Sequence, residues 1–118
     1  MQILVVESNS SLRRLWVWHL VRQGLQVAHV SNTQTAMEFL STNDVEVVVL
    51  NLELAGGDAM GVADYASYRR PDARVIFVTR DSFFSDGSIF QHCHNACALV
   101  PEATKPEDLA AMAEHYCR

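Results

Sequence analysis

Four short runs of apolar, largely β-branched residues constrain this chain more than any other feature: Ile3-Leu4-Val5-Val6, residues 45–50, Val75-Ile76-Phe77-Val78 and Ala98-Leu99-Val100. None keeps the strict apolar-polar alternation of a half-exposed strand, and runs of this kind suit strands buried on both faces of a parallel sheet. Residues 25–30 form a weaker fifth run. The segments between them have helical spacing. In the first, Leu12, Leu15, Trp16, His19 and Leu20 fall within about a third of a circle at about 100° per residue, and Gly24 follows as a cap. The second helix begins at Ser31 or Asn32, with Ser31 and Gln34 in capping-box spacing, and is expected to bury Ala36, Phe39 and Leu40. The third runs over residues 59–68 until Pro71-Asp72 stops the chain before the next strand. A fourth is expected over residues 85–92, weakened at its start by Gly87. The last covers residues 106–116, with Pro106 at a first helical position, where a missing N–H costs nothing.

Five strands alternating with helices, joined by right-handed crossovers, give an α/β fold. The expectation is one domain over residues 1–118, a doubly wound five-stranded parallel sheet in order 2-1-3-4-5 flanked by five helices. In that order the winding reverses between strands 1 and 3, so a site is expected at their carboxyl ends, at Glu7-Ser8 and Asn51.

Charge narrows the function. A formal net charge of −5 with no Lys/Arg run offers no footprint for nucleic acid or an anionic membrane. No apolar run approaches the roughly 20 residues of a bilayer span, and Met1 leads straight into a strand, so a cytoplasmic protein is expected. Three cysteines do not make a disulfide framework, and reduced thiols are expected. His92-Cys93-His94 with Cys97 gathers nitrogen and sulfur donors, but the spacing is not a zinc pattern; no metal is expected, with Cys97 buried as a small apolar residue. His19, on the core stripe, reads as a packed imidazole. No Ser/His/Asp or Cys/His set falls at a strand-end pocket, so no enzyme is expected. Val17, Trp18 and Val21 lie about 140°, 240° and 180° from Leu12, on the side of the first helix away from its core stripe. They form a candidate partner face, unless the Trp18 ring lies flat over its neighbours.

At the strand ends the sequence resembles a response regulator receiver domain of the chemotaxis-regulator-like kind, over essentially the whole chain. Ile3-Leu4-Val5-Val6-Glu7-Ser8-Asn9 is similar to the opening strand that ends in paired acids, and Leu12-Arg13-Arg14-Leu15 to the first helix. The run from Val47 to Asp58 resembles the acceptor-aspartate segment, with Asn51 at the acceptor position and Ala55 where a proline is usual. Val75 to Thr79 resembles the fourth strand with its terminal hydroxyl. Residues 96–103 and Pro106-Glu107-Asp108-Leu109 resemble the fifth strand and final helix, with Glu102-Ala103 where the family has Lys-Pro.

The resemblance implies phosphoryl transfer to a carboxylate, assisted by Mg²⁺ on acidic oxygens, a hydroxyl and a lysine. Here Asn51 is an amide with no carboxylate to form an acyl phosphate. Of the metal-binding side-chain positions only Glu7 keeps a charge, and Ser8 offers a neutral hydroxyl, so Mg²⁺ binding is expected to be weak or absent and no cofactor is expected. Glu102 puts an anion where the family has its cation. Thr79 alone retains the family residue. The expectation is a pseudo-receiver that works by protein contact and without phosphorylation. Its implied partners are a histidine kinase, a phosphotransfer domain or an output domain, docked by the first helix, or a second copy paired through the fourth helix, fifth strand and last helix. The alternatives are a ligand-sensing domain using the altered pocket, and residual self-phosphorylation on Thr79 or Glu7.

Overall fold

The computed structural model describes residues 2–80 and 93–116. The elements are β1 (Gln2–Val6), α1 (Ser10–Arg22), β2 (Gln26–Val30), α2 (Thr33–Thr42), β3 (Val47–Asn51), α3 (Ala59–Arg69), β4 (Arg74–Thr79), β5 (Ala96–Pro101) and α4 (Pro106–Tyr116). All pairings are parallel and the strand order is β2-β1-β3-β4-β5, as expected. Four helices lie among the described residues; the helix expected over residues 85–92 falls outside them.

The lack of alternation in the central strands has a direct cause. Ile3, Val5, Val47, Val49, Ile76 and Val78 pack on one face of the sheet, with Trp16 and Leu20 of α1 and Leu109, Ala110 and Ala113 of α4. Leu4, Val6, Val48, Leu50, Val75 and Phe77 pack on the other, with Ala36 and Leu40 of α2 and Val62, Ala63 and Ala66 of α3. Side chains still alternate between faces, but both faces are core, so every position is apolar. β4 and β5 slip register after Val75, which pairs with Ala96 while Ile76 pairs with Ala98, leaving Cys97 at the irregularity.

Several local readings are corrected. In α1 the buried arc is centred between Trp16 and Leu20, so Leu15, expected on the core stripe, stands 43% exposed. The same rotation brings Val17, expected on the open face, to the edge of the core. The bulky Trp16 ring dictates this, since burying it turns the helix toward positions 16, 17 and 20. α2 is capped by Asn32, whose Oδ1 accepts the Thr35 N–H at 2.9 Å; Ser31 and Gln34 form no capping box. β3 begins at Val47, two residues later than its apolar run, and ends on Asn51. β5 extends to Ala96 and Pro101 at its two ends.

Gly24 caps α1 in the expected way. Its φ of 85° lies in the left-handed region, and the chain there closes with Gly24 N–H to the Val21 carbonyl at 2.9 Å and Leu25 N–H to the Leu20 carbonyl at 3.3 Å. That turn delivers Leu25 against the α1 side of the core and starts β2.

Candidate functional site at the strand ends

Parallel strands that all point one way bring their carboxyl ends to one edge of the sheet, and the residues following them meet there. Asn51 ends β3, Thr79 ends β4, Glu7 follows β1 and Glu102 follows β5. Glu7, Asn51 and Thr79 are all buried. Their polar atoms therefore need partners inside the protein, and the hydrogen bonds show where these lie.

Asn51 is the centre. Its Nδ2 donates to Glu7 Oε1 at 2.6 Å and to Glu102 Oε2 at 3.2 Å, while its Oδ1 accepts the Glu53 N–H at 2.8 Å. This pattern fixes the amide's orientation, because a flip would set oxygen against two carboxylates and the NH₂ against an N–H. Glu7 is held on its other side as well: Oε2 accepts the Asn9 N–H at 3.0 Å, and its backbone carbonyl accepts from the Arg13 guanidinium at 2.8 Å. Asn9 in turn caps α1, its Oδ1 accepting from Ser11 and Leu12 N–H.

Thr79 joins the cluster through a residue that the sequence did not single out. Its hydroxyl donates to Glu53 Oε1 at 2.6 Å, and the same oxygen accepts the Arg80 N–H at 2.9 Å. The signal available was the position of Glu53 two residues beyond Asn51, at the same strand end. Arg80, likewise not singled out, lies with Nε 3.7 Å from Glu102 Oε2. Arg80 is largely solvated and Glu102 only partly buried, so the pair steadies Glu102 only modestly.

Ser8 sits beside this cluster but bonds elsewhere. Its Oγ accepts the Ala55 N–H at 2.9 Å and donates to the Ser31 carbonyl at 3.1 Å, tying the loop after β3 to the entrance of α2. Beside Thr79 and Glu102 a hollow of about 360 Å³ opens, lined also by Leu12, Arg80, Pro101 and Ala103.

The cysteine-histidine segment does not converge. Cys93 packs on the α2/α3 face and its thiol donates to Asn95 Oδ1 at 2.8 Å, whereas Cys97 packs on the α1/α4 face and donates to the Val75 carbonyl at 3.4 Å. The sheet separates the two sulfurs. His94 meets Ser67, and His92 lies outside the described residues. Burial raises the Cys93 thiol pKa and pushes that of Cys97 up to about 11, with Arg74 pulling the latter weakly the other way.

On the outer side of α1, Trp18 and Val21 are 54% and 53% exposed. The Trp18 ring does not lie flat on the core. It meets His19 edge-on at 4.8 Å and carries the Arg22 guanidinium 5.0 Å above its face.

Residues 3–112 match the family described as the response regulator receiver domain. The response regulator receiver protein CpdR of Brucella abortus is 24% identical over 115 residues, covering 98% of this chain and 85% of that protein. Among solved structures, a CheY-like receiver domain from Methanospirillum hungatei superposes with a TM-score of 0.88 at 16% identity, covering 98% of this chain and 92% of that one. The Thermotoga maritima response regulator TrrA, solved in complex with Mg²⁺-BeF, does so with a TM-score of 0.83 at 23% identity, covering 98% and 97%.

Proposed function

The chain belongs to the response regulator receiver domain family, the receiver module of two-component signalling, and from that premise we propose that it signals by protein contact and independently of phosphorylation. One observation carries this reading: the side chain at the end of β3 is an amide whose NH₂ is shared between Glu7 and Glu102. An acceptor must present an anionic oxygen to phosphorus. Asn51 presents N–H donors, and its one oxygen is occupied by the Glu53 N–H.

The donor set also does not fit a resident Mg²⁺, which needs several hard oxygens free to point at one centre. Both Glu7 oxygens already accept hydrogen bonds, and the Ser8 hydroxyl is engaged with Ala55 and Ser31. Among the described residues no cluster of three His, Cys, Asp or Glu side chains is placed to hold a metal. Trp fluorescence in a millimolar Mg²⁺ titration is expected to stay flat. Nothing here favours the ligand-sensing alternative, because the polar atoms at the strand ends are bonded to one another. The contact surface in this reading is the outer side of α1 with Val17, Trp18 and Val21, and its partner a histidine kinase, phosphotransfer or output domain.

The test is incubation with acetyl phosphate and Mg²⁺, read by intact-protein mass spectrometry. Wild type is expected to gain no phosphoryl group on Asn51, Thr79 or Glu7. Asn51→Asp alone is expected to remain unmodified, and the triple change Ser8→Asp, Asn51→Asp and Glu102→Lys to restore labelling. Stable phosphorylation of wild type, or of the single variant, overturns the proposal.

A further inference from the structure

A groove of about 450 Å³, which takes no part in the strand-end cluster, is lined by Arg13, Arg14, Val17, Trp18, Val21 and His29. All but His29 come from α1 and His29 from β2, so a helix and an edge strand of the sheet form its two walls. Its exposed surface is mostly apolar, and its volume falls among those of small-molecule sites, about 300–1,000 Å³. The walls are set in advance. Val17 packs against the core, and the Trp18 ring is held by Arg22, 5.0 Å over its face, and by His19, edge-on at 4.8 Å. Those two residues line the neighbouring hollow, together with Glu107, and not this groove. The charge of the groove has one sign. No Asp or Glu lines it, and none occurs in the thirty residues from Ser8 to Met37 that supply all of its lining. One N–H of the Arg13 fork donates to the Glu7 carbonyl at 2.8 Å, which fixes the guanidinium in place, and among the described residues Arg14 is in no ion pair. Arg14 and Val21 lie seven positions apart on α1, about 10 Å along the helix axis, room for a medium-length alkyl chain or an aryl ring running away from the cations.

We propose that this groove binds a free small-molecule amphiphile, a carboxylate with an apolar body. The body lies on Val17, Trp18 and Val21, and the carboxylate pairs with Arg13 and Arg14. Guanidinium groups meet carboxylates through planar, paired hydrogen bonds, which suits them to this head group, and the apolar wall supplies burial for the rest. The site is separate from the strand-end cluster. Because Val17, Trp18 and Val21 also form the contact surface proposed above, an occupied groove excludes the partner. That consequence rests on the contact reading, whereas the binding itself does not.

Three probes are titrated into the full chain and followed by amide NMR: octanoate, 1-octanol, which keeps the chain without the charge, and acetate, which keeps the charge without the chain. Octanoate is expected to bind about tenfold or more tightly than either, since it alone joins charge-assisted hydrogen bonds to apolar burial. Its shifts are expected to cluster on α1 and β2. Arg14→Gln and Val21→Asn are each expected to weaken octanoate about tenfold with melting temperatures unchanged, and Glu107→Gln, in the neighbouring hollow, to leave its binding as in wild type. Equal affinity for octanoate and 1-octanol, shifts confined elsewhere, binding unaltered in both groove variants, loss of binding in Glu107→Gln, or no binding of octanoate overturns the proposal. So does co-sedimentation with phosphatidylserine-containing vesicles that octanoate does not reverse, which gives the groove to a lipid surface, or a dimer in analytical ultracentrifugation that Val21→Asn disperses, which gives it to a second copy. No partner and no phosphoryl donor is present in the titration. A flat titration therefore leaves the contact reading and the mass-spectrometric result standing, and phosphorylation of wild type leaves the titration standing.

Discussion

At position 51 the difference between an amide and a carboxylate is a change of sign. The Asn51 NH₂ is a donor between two acceptor-only carboxylates, and hydrogen bonds to charged groups are worth about 1.5–3 kcal/mol each way they are broken. Asn51→Asp removes that donor and sets a third carboxylate against Glu7 and Glu102. The variant is expected to lose about 1.5–3 kcal/mol in urea unfolding at neutral pH. A variant as stable as wild type at neutral pH would show that the shared amide contributes nothing. Cys97 makes a second residue-scale prediction. Its thiol is pushed from the ordinary 9.0 to about 11, so between those values the unfolded chain gives up the proton while the folded one keeps it. Stability is therefore unaffected by this group below about pH 9 and declines as pH rises through that window. Cys97→Ala is expected to flatten that part of the pH profile, measured as urea midpoint against pH.

At the scale of elements, α1 is where the sequence was hardest to read. Trp16 and Trp18 sit two residues apart, yet one is 1% exposed and the other more than half open. Trp16→Ala is expected to cost about 3–5 kcal/mol, as for a large aromatic removed from a core. Trp18→Ala is expected to leave the melting temperature within about a degree or two, since surface truncations stay within about 0.5 kcal/mol. Two melting curves check this, and a comparable loss for both would place Trp18 in the core. Periodicity alone misplaced Leu15 because it weighs all apolar residues alike, whereas the arc is set by the largest ring to be buried. The strands were legible to within two residues at each end, because a strand covered on both faces leaves an uninterrupted apolar run. The site was legible in two ways: strand order alone pointed to Glu7, Ser8 and Asn51, whereas Thr79 and Glu102 were named by the resemblance to receiver domains. Two things were not. The Ser8 hydroxyl turned to the loop at Ala55, and Glu53 came in to hold Thr79, because such side-chain bonds depend on loop geometry that no period encodes.

For the whole molecule, the order β2-β1-β3-β4-β5 places β1, β3 and β4 inside the sheet and β2 and β5 at its edges. Amides of the three inner strands are expected to exchange with solvent only through global unfolding, and those of β2 and β5 through smaller openings. Native-state hydrogen exchange by NMR tests this; faster exchange in β3 than in β2 would contradict the layered core.

The clasp on Asn51 also governs the order in which this sequence can change by single substitutions. Starting from the present protein, an acid at 51 is met by two acids already in place, so Asn51→Asp is expected to be unfavourable as a first substitution. A cation at 102 removes one of those acids beforehand and supplies a counter-charge, after which the same move at 51 becomes tolerable. The two positions are thus expected to be coupled, the cost of Asn51→Asp falling when Glu102→Lys accompanies it, because both contact the same amide.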